Sequence, residues 1–350
     1  MRNLWSRKVI LLIVAVMFLS VVVSSHAEKE INWIMFTGGT GVSWADKQWK
    51  NVIIPDIERI TNGRLKIDLL YHGEYPYKDA DLLRVVSEGT ADLVSGWVAN
   101  WSGTEPRLTV VDMPMFVPSY PGDLQRVYHR ILDEVLKDVF AKWNCHELLT
   151  TWMGAQHFYL SDFWIEDFDS LKGKKIRTFN AELDDLVKLL NGTPVRVDAA
   201  EVYTALQTGV ADGLITGVSN GHDNMYFEVV PNMEATFICD CTAPVYINND
   251  SWNELPEDLR NTLQNYFDSK REWYEMGQTL QNGLDLIDSF PKFRLGVYTM
   301  PEKLRKEIVK KSYEAIWKPW IKRCGEGGEK VFEGVADILI DEGFEVPTYK

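Results

Sequence analysis

The sequence predicts an α/β fold built twice over: two open, mostly parallel sheets, each covered by helices. Three observations carry that expectation. Strand patterns of period two alternate with helix patterns of period 3.6 along most of the chain. The alternation closes near Met153 and restarts near Gly173, as two successive layered units would. The length, 350 residues, suits two domains, since one domain commonly takes roughly 100–200.

The first set opens with a strand at 31–36 and the glycine-rich turn Gly38-Gly39-Thr40-Gly41. A helix over about 43–61 follows, with Trp49, Ile53, Ile57 and Ile60 at helical spacing. Leu65, Ile67 and Leu69 alternate with polar neighbours and mark a strand at 64–71. A helix at 79–88, strands at 91–97 and 108–112, an amphipathic helix at about 121–142 and a strand at 145–153 complete the set.

The second set has strands at 173–178, 193–197 and 212–216, with a helix at 181–190 between the first two. Asp198 and Glu201 stand at the spacing of a capping box, in which a side chain accepts from a free amide of the first helical turn. The segment 237–247 reads as extended and carries the chain back to the first domain. Three helices, about 250–289, 301–324 and 329–341, fill the remainder.

Arg2, Arg7 and Lys8 precede an apolar run at 9–23, and Ser25-His26-Ala27 supplies small residues after it. That order is a secretory signal peptide cleaved after Ala27. The run is shorter than the ~20 residues of a membrane-spanning helix, and no cysteine follows it closely enough for a lipoprotein anchor. The chain carries a formal charge of −14, and the basic leader leaves the remainder more acidic still. No long basic stretch interrupts this acidity, which argues against nucleic acid or anionic lipid as a partner. Cys145, Cys239, Cys241 and Cys324 would meet an oxidising compartment, where four thiols allow three complete pairings. Disulfides and buried thiols both remain open.

No phosphate-binding loop, zinc-protease helix or serine-hydrolase elbow occurs in the sequence. His72, His129, His146, His157 and His222 have no metal-site spacing, and no cofactor is expected. The acidic pairs Asp167/Asp169 and Asp184/Asp185 read as solvated surface. Arg177 is the better candidate, because it closes a strand just before a helix, and open α/β sheets bind ligands at the carboxyl ends of their strands. Its planar fork accepts a carboxylate through two parallel hydrogen bonds. The 38–41 turn could present amides to an anion. Trp97, Trp101 and Trp152 stand at or beyond strand ends, and Trp44 opens a helix after the glycine turn, so an apolar-walled pocket is expected.

From Phe168 onward the chain resembles a known family. FDSLKGKKIRTFNAE followed by NGTPVRVDAAEVYTALQTGVADG is similar to the central signature of solute-binding proteins of TRAP (tripartite ATP-independent periplasmic) transporters. ITNGRLKIDLLYHGEY, LLRVVSEGTADLVSG and VVDMPMFV resemble that family's first domain in the same order. The resemblance implies a periplasmic binding-protein fold, with crossing strands and a long helix joining two domains that close on ligand. It implies an organic acid held by Arg177 in the interdomain cleft and passed to TRAP-type permease subunits.

The chain departs from sialic-acid-type members of that family. Where they carry a second arginine, Gln156 or His157 stands here; Trp97 replaces a glutamate, and Thr216 an asparagine. Gly96, Trp97 and Trp152 then favour a less polar monocarboxylate, aromatic or branched. Trp44, Asp79 and Ala199, all near helix starts, complete the candidate set. The expected division is 28–152 plus about 243–285 for one domain, and 153–242 plus about 286–350 for the other. The protein is expected to be a periplasmic monomer that performs no chemistry. A binding protein of an ABC transporter or sensor is the alternative within the class, and a secreted hydrolase the alternative outside it.

Overall fold

The computed structural model describes residues 30–117, 121–197 and 201–346. The leader and Ala199 therefore lie outside the described residues. In chain order the strands are β1 (Ile31–Thr37), β2 (Leu65–Leu70), β3 (Leu93–Ser95), β4 (Cys145–Trp152), β5 (His157–Leu160), β6 (Lys175–Thr178), β7 (Thr193–Arg196), β8 (Gly213–Thr216), β9 (Asn232–Glu234), β10 (Thr242–Asn248) and β11 (Gly296–Tyr298). They form two sheets, ordered β2-β1-β3-β10-β4 and β11-β9-β5-β8-β6-β7.

Both sheets are open and mixed, each with parallel pairs and one reversed strand. In the first, β1 is parallel to β2 and β3, but β10 is antiparallel to β3 and β4. In the second, β5 is antiparallel to β8 and β9, while β6 is parallel to β7 and β8. The reversed strand in each case is one that has crossed from the other sheet. β4 runs on through 153–156 into β5, and the chain returns after β9 into β10. A strand entering from the opposite lobe points the opposite way.

Some elements differ from expectation. Residues Pro106–Asp112 form a 3-10 helix, not a strand: Pro106 has no amide to give a ladder, and Glu105 caps the turn by accepting from the Arg107 amide. The helix expected over 250–289 is two, Asn249–Asn253 and Glu257–Phe293, because Pro256 cannot donate the bond that would join them. β5, β9, β11 and the helix Val218–Asp223 carry no strong periodic signal; each is six residues or shorter.

The long helix Glu257–Phe293 packs on β4, on Val218–Asp223 and on the helix Trp44–Gln48. Its N-terminal half joins the core of the first sheet, where Leu263, Phe267 and Tyr274 are buried with Trp33, Trp49 and Ile53. The Trp49 indole N–H donates to the Tyr274 hydroxyl at 3.0 Å, which removes the cost of burying both polar tips. Its C-terminal end supplies Phe293 to the core of the second sheet, with Tyr159, Leu214 and Phe227. Outward, Leu280, Leu284 and Ile287 stay exposed. All four cysteines are free thiols: Cys145 and Cys239 are buried, in β4 and in the returning segment, and Cys241 and Cys324 are half-buried.

Candidate functional site

Strand register assembles the site. Arg177 on β6 lies level with Leu214 on β8, and β8 carries Thr216 level with His157 on β5. Side chains two apart on a strand share a face, as do those of paired residues on neighbouring strands. Arg177, Thr216 and His157 therefore project from one face of the second sheet, at the end where β6 and β8 finish and β5 begins.

Arg177 is buried at 8% exposure. Its Nε and Nη2 both donate to the Val197 carbonyl at 3.3 Å, and its guanidinium lies 5.8 Å from the Phe179 ring centre. Those contacts fix the fork's plane. Its charge also reaches Tyr226 and Cys241, opposing the burial that raises both groups. Cys241 belongs to the returning crossing segment, so the arginine stands beside the join between the sheets.

His157 and Gln156 occupy the other crossing. Gln156 is buried and its Nε2 donates to the Gly154 carbonyl at 2.7 Å, while its backbone bonds to Ile238 and Cys239 lock the two crossing segments together. His157 Nδ1 accepts from the Phe237 amide at 3.2 Å, and the two rings meet edge to face at 4.8 Å. Burial pushes the imidazole down to about 3, so this histidine is neutral. Thr216 Oγ1 accepts from Asn220 Nδ2 at 2.8 Å.

Gly96, Trp97 and Asp79 form a second group, beyond the carboxyl end of β3, the central strand of the first sheet. A Cβ on Gly96 would meet the Trp101 ring at 3.2 Å and Leu82 at 3.5 Å, which explains the glycine. Trp97 is half-buried just past β3, and its carbonyl accepts from the Asn100 amide at 3.0 Å. Asp79 accepts from or shares a proton with His72 Nδ1 at 2.9 Å; burial raises its carboxyl against the opposing pull of His72 and Tyr75.

Three of the expected aromatics are engaged in packing. Trp152 is buried and meets Tyr128 edge to face at 5.9 Å. Trp101 is fully buried, donates to the Asp79 carbonyl at 3.1 Å and tilts against Tyr246. Trp44 leans on Trp273 and Tyr274, over Gly277 of the long helix. The glycine turn is likewise spent internally: the amides of Gly38, Gly39 and Gly41 donate to Ser95, Thr37 and Asp46. Those three amides are not available to an anion.

Phe179, Phe237, Asn220 and Tyr226 line the site without having been foreseen. Phe237 adopts φ 51°, a conformation no pattern of residue types announces. Phe179 could have been found, as it stands two residues beyond Arg177 on the same strand end.

Among the described residues one group of donor atoms, His222, Asp223 and Asp285, lies close enough to hold a cation. Its donors are already engaged: His222 Nε2 bonds Asp288 at 2.8 Å with Lys292 Nζ at 3.3 Å, and Asp285 accepts from Gln281 at 2.7 Å. It is an ion-pair cluster where the helix Val218–Asp223 packs on the long helix.

Comparison with known proteins gives a consistent picture. The family model described as bacterial extracellular solute-binding protein, family 7, matches residues 50–322. A solute-binding protein of Chromohalobacter salexigens is 24% identical over 210 residues, covering 60% of this chain and 62% of that one. The matches span 48% to 62% of the length of the first curated relatives. An extracytoplasmic solute receptor of Bordetella pertussis, binding pyroglutamic acid, superposes with a TM-score of 0.77 at 18% identity, over 87% of this chain and 99% of that one. A TRAP periplasmic solute-binding protein of Sulfurospirillum deleyianum, with bound succinate, gives 0.73 at 19% identity, over 89% and 99%. At these identities the two structures establish the shared fold.

Proposed function

Because this chain belongs to family 7 of the bacterial extracellular solute-binding proteins, we propose that it captures a small organic acid between two α/β lobes and delivers it to a TRAP-type permease. One observation carries the reading: a buried arginine, oriented by a backbone carbonyl and a ring, shares one strand-end face with Thr216 and His157 beside the crossing segments. In a site from which water is excluded, a guanidinium–carboxylate pair is strong and directional. That similar structures hold pyroglutamic acid and succinate supports a carboxylate as the ligand class.

In this reading the leader is removed on export and the protein acts in the periplasm. Among the described residues no helix is long and apolar enough to cross a membrane. The lobes are 28–152 plus about 243–285, and 153–242 plus about 286–350. Gly96, Trp97 and Asp79 are the first lobe's contribution, closing over a solute seated on Arg177, Thr216, His157 and Gln156. Binding energy shifts an open–closed equilibrium and no bond of the solute changes. The protein acts as a monomer; a dimer in light scattering would overturn that part, with Leu280, Leu284 and Ile287 the first surface to change.

The test is a thermal-shift screen of protein refolded to remove carried-over solute, with small carboxylates beside neutral sugars and amino acids. A ligand that binds only the folded state adds roughly 2.7 kcal/mol at a hundred times its Kd. Shifts confined to carboxylates and abolished by Arg177→Ala are expected. Shifts with neutral solutes alone would overturn the reading.

A further inference from the structure

We infer that His157 sets the specificity of this cleft: its neutral ring offers Nε2–H to a ligand oxygen, so the favoured solute is a monocarboxylate bearing one further neutral acceptor, such as a keto or lactam carbonyl. The inference rests on the carboxylate reading above and narrows it.

The tautomer follows from one hydrogen bond. The Phe237 amide can only donate, and it donates to Nδ1 at 3.2 Å. Nδ1 must therefore keep its lone pair, which places the ring proton on Nε2. The Phe237 ring, edge to face at 4.8 Å and 82°, holds the imidazole plane. Among the described residues His157 Nε2–H has no acceptor, although the residue is only 3% exposed. A donor that the protein leaves without a partner is free to be satisfied by an incoming acceptor.

Position makes the ligand that acceptor's source. β5 and β6 flank β8, so His157 and Arg177 stand two strands apart on one face, a lateral separation of about 10 Å at normal strand spacing. Two side chains reaching inward from that distance leave room for a solute of a few heavy atoms between them. Arg177 takes the carboxylate. At the other end the solute meets an uncharged ring whose neighbours Thr216 and Phe237 are also uncharged. A second carboxylate there would be buried without a counter-ion, which is far costlier than burying a carbonyl that accepts one hydrogen bond. Burial holds the ring neutral, so the donor does not turn into a cation that would welcome a diacid.

The experiment combines ring NMR with calorimetry on the full exported chain. Probes are two matched pairs, pyroglutamate with cyclopentanecarboxylate and pyruvate with propionate, plus succinate. Wild type is compared with His157→Asn, whose amide oxygen can still accept from Phe237 but whose side chain no longer reaches as a donor. The His157 ring is expected to be the neutral Nε2–H tautomer from about pH 5 to 8. In at least one pair the carbonyl-bearing acid is expected to bind about tenfold or more tighter than its partner and than succinate, as one hydrogen bond to a buried polar group warrants. In His157→Asn that preference should shrink to about threefold or less. An Nδ1–H ring, an imidazolium near neutrality, tighter binding of succinate, or an unchanged preference in a folded His157→Asn protein would each overturn the inference. Should the variant not fold, the ring tautomer and the wild-type preference decide alone. If no carboxylate binds wild type, the carboxylate reading itself fails and takes this inference with it; binding without the preference sinks only the role of His157.

Discussion

Asn282 on the long helix donates from Nδ2 to the Met153 carbonyl at 3.1 Å, while its Oδ1 accepts from the Ser219 amide at 3.2 Å. One side chain thereby ties the β4–β5 crossing to the helix that follows β8. Close beside it Gly154 adopts φ +91°, and a Cβ there would come within 2.3 Å of Asn282 Nδ2. The crossing is thus pinned by a polar clamp that leaves no space for a side chain.

Gly154→Ala should lower stability by about 2–4 kcal/mol, combining a left-handed backbone unsuited to alanine with displacement of Asn282. Asn282→Ala should cost about 1–3 kcal/mol by leaving buried backbone groups unpaired. Urea denaturation of both variants measures this. Wild-type midpoints would show that the clamp adds nothing.

Arg177→Ala is expected to weaken binding of the cognate acid by about 3 kcal/mol or more, since truncating one member of a buried charge pair costs roughly 2–5. Arg177→Lys should recover little, because an ammonium cannot reproduce the planar fork that Val197 and Phe179 orient. Calorimetric titration distinguishes these outcomes from a site located elsewhere, for which both variants would bind normally.

Glu234 predicts a pH dependence. It is fully buried on β9, and burial, with a smaller push from Glu166, raises its carboxyl from 4.5 to about 7 against the Ile165 amide that bonds it. A folded-state value above the unfolded one means that its contribution is present below about pH 4.5 and lost as pH rises through about 7. Glu234→Gln, which keeps an acceptor for Ile165, should be more stable than wild type by about 1–3 kcal/mol at pH 8 and close to it at pH 5. Urea midpoints at the two pH values check the sign; a larger gain at pH 5 would refute it.

The four thiols should remain free. Intact mass after denaturing alkylation without reductant should show four modified cysteines, and added dithiothreitol should leave Tm unchanged. A mass deficit of two or four labels would show pairing of Cys239, Cys241, Cys145 or Cys324.

Much of the architecture was legible because it is written locally. The alternation of β1, the helical run that carries Trp49, Ile53 and Ile57, and β2 follows from side-chain periodicity, and that holds whatever the chain packs against. The place of Arg177 at a strand end was legible for a related reason: a strand followed closely by a helix places the intervening residue at a carboxyl end. The failures have equally particular causes. Residues 108–112 are buried along their whole length, with Leu108, Val110 and Val111 in the core, and a buried 3-10 turn shares that short apolar run with a buried strand. β9 and β11, three residues each, are too short for any period to show.

By itself, then, the sequence determined two helix-covered sheets, an acidic composition and an arginine at a strand end. Only tertiary structure decided what that arginine faces. The order β5-β8-β6 brought His157 beside Thr216 and two strands from Arg177. The returning segment laid the Phe237 amide on His157 and so fixed where its proton resides. The long helix claimed Trp44, and the core claimed Trp101 and Trp152. Periodicity reports which way a side chain points from its own backbone; what waits at its tip depends on residues far away in sequence, brought there by strand order and crossing.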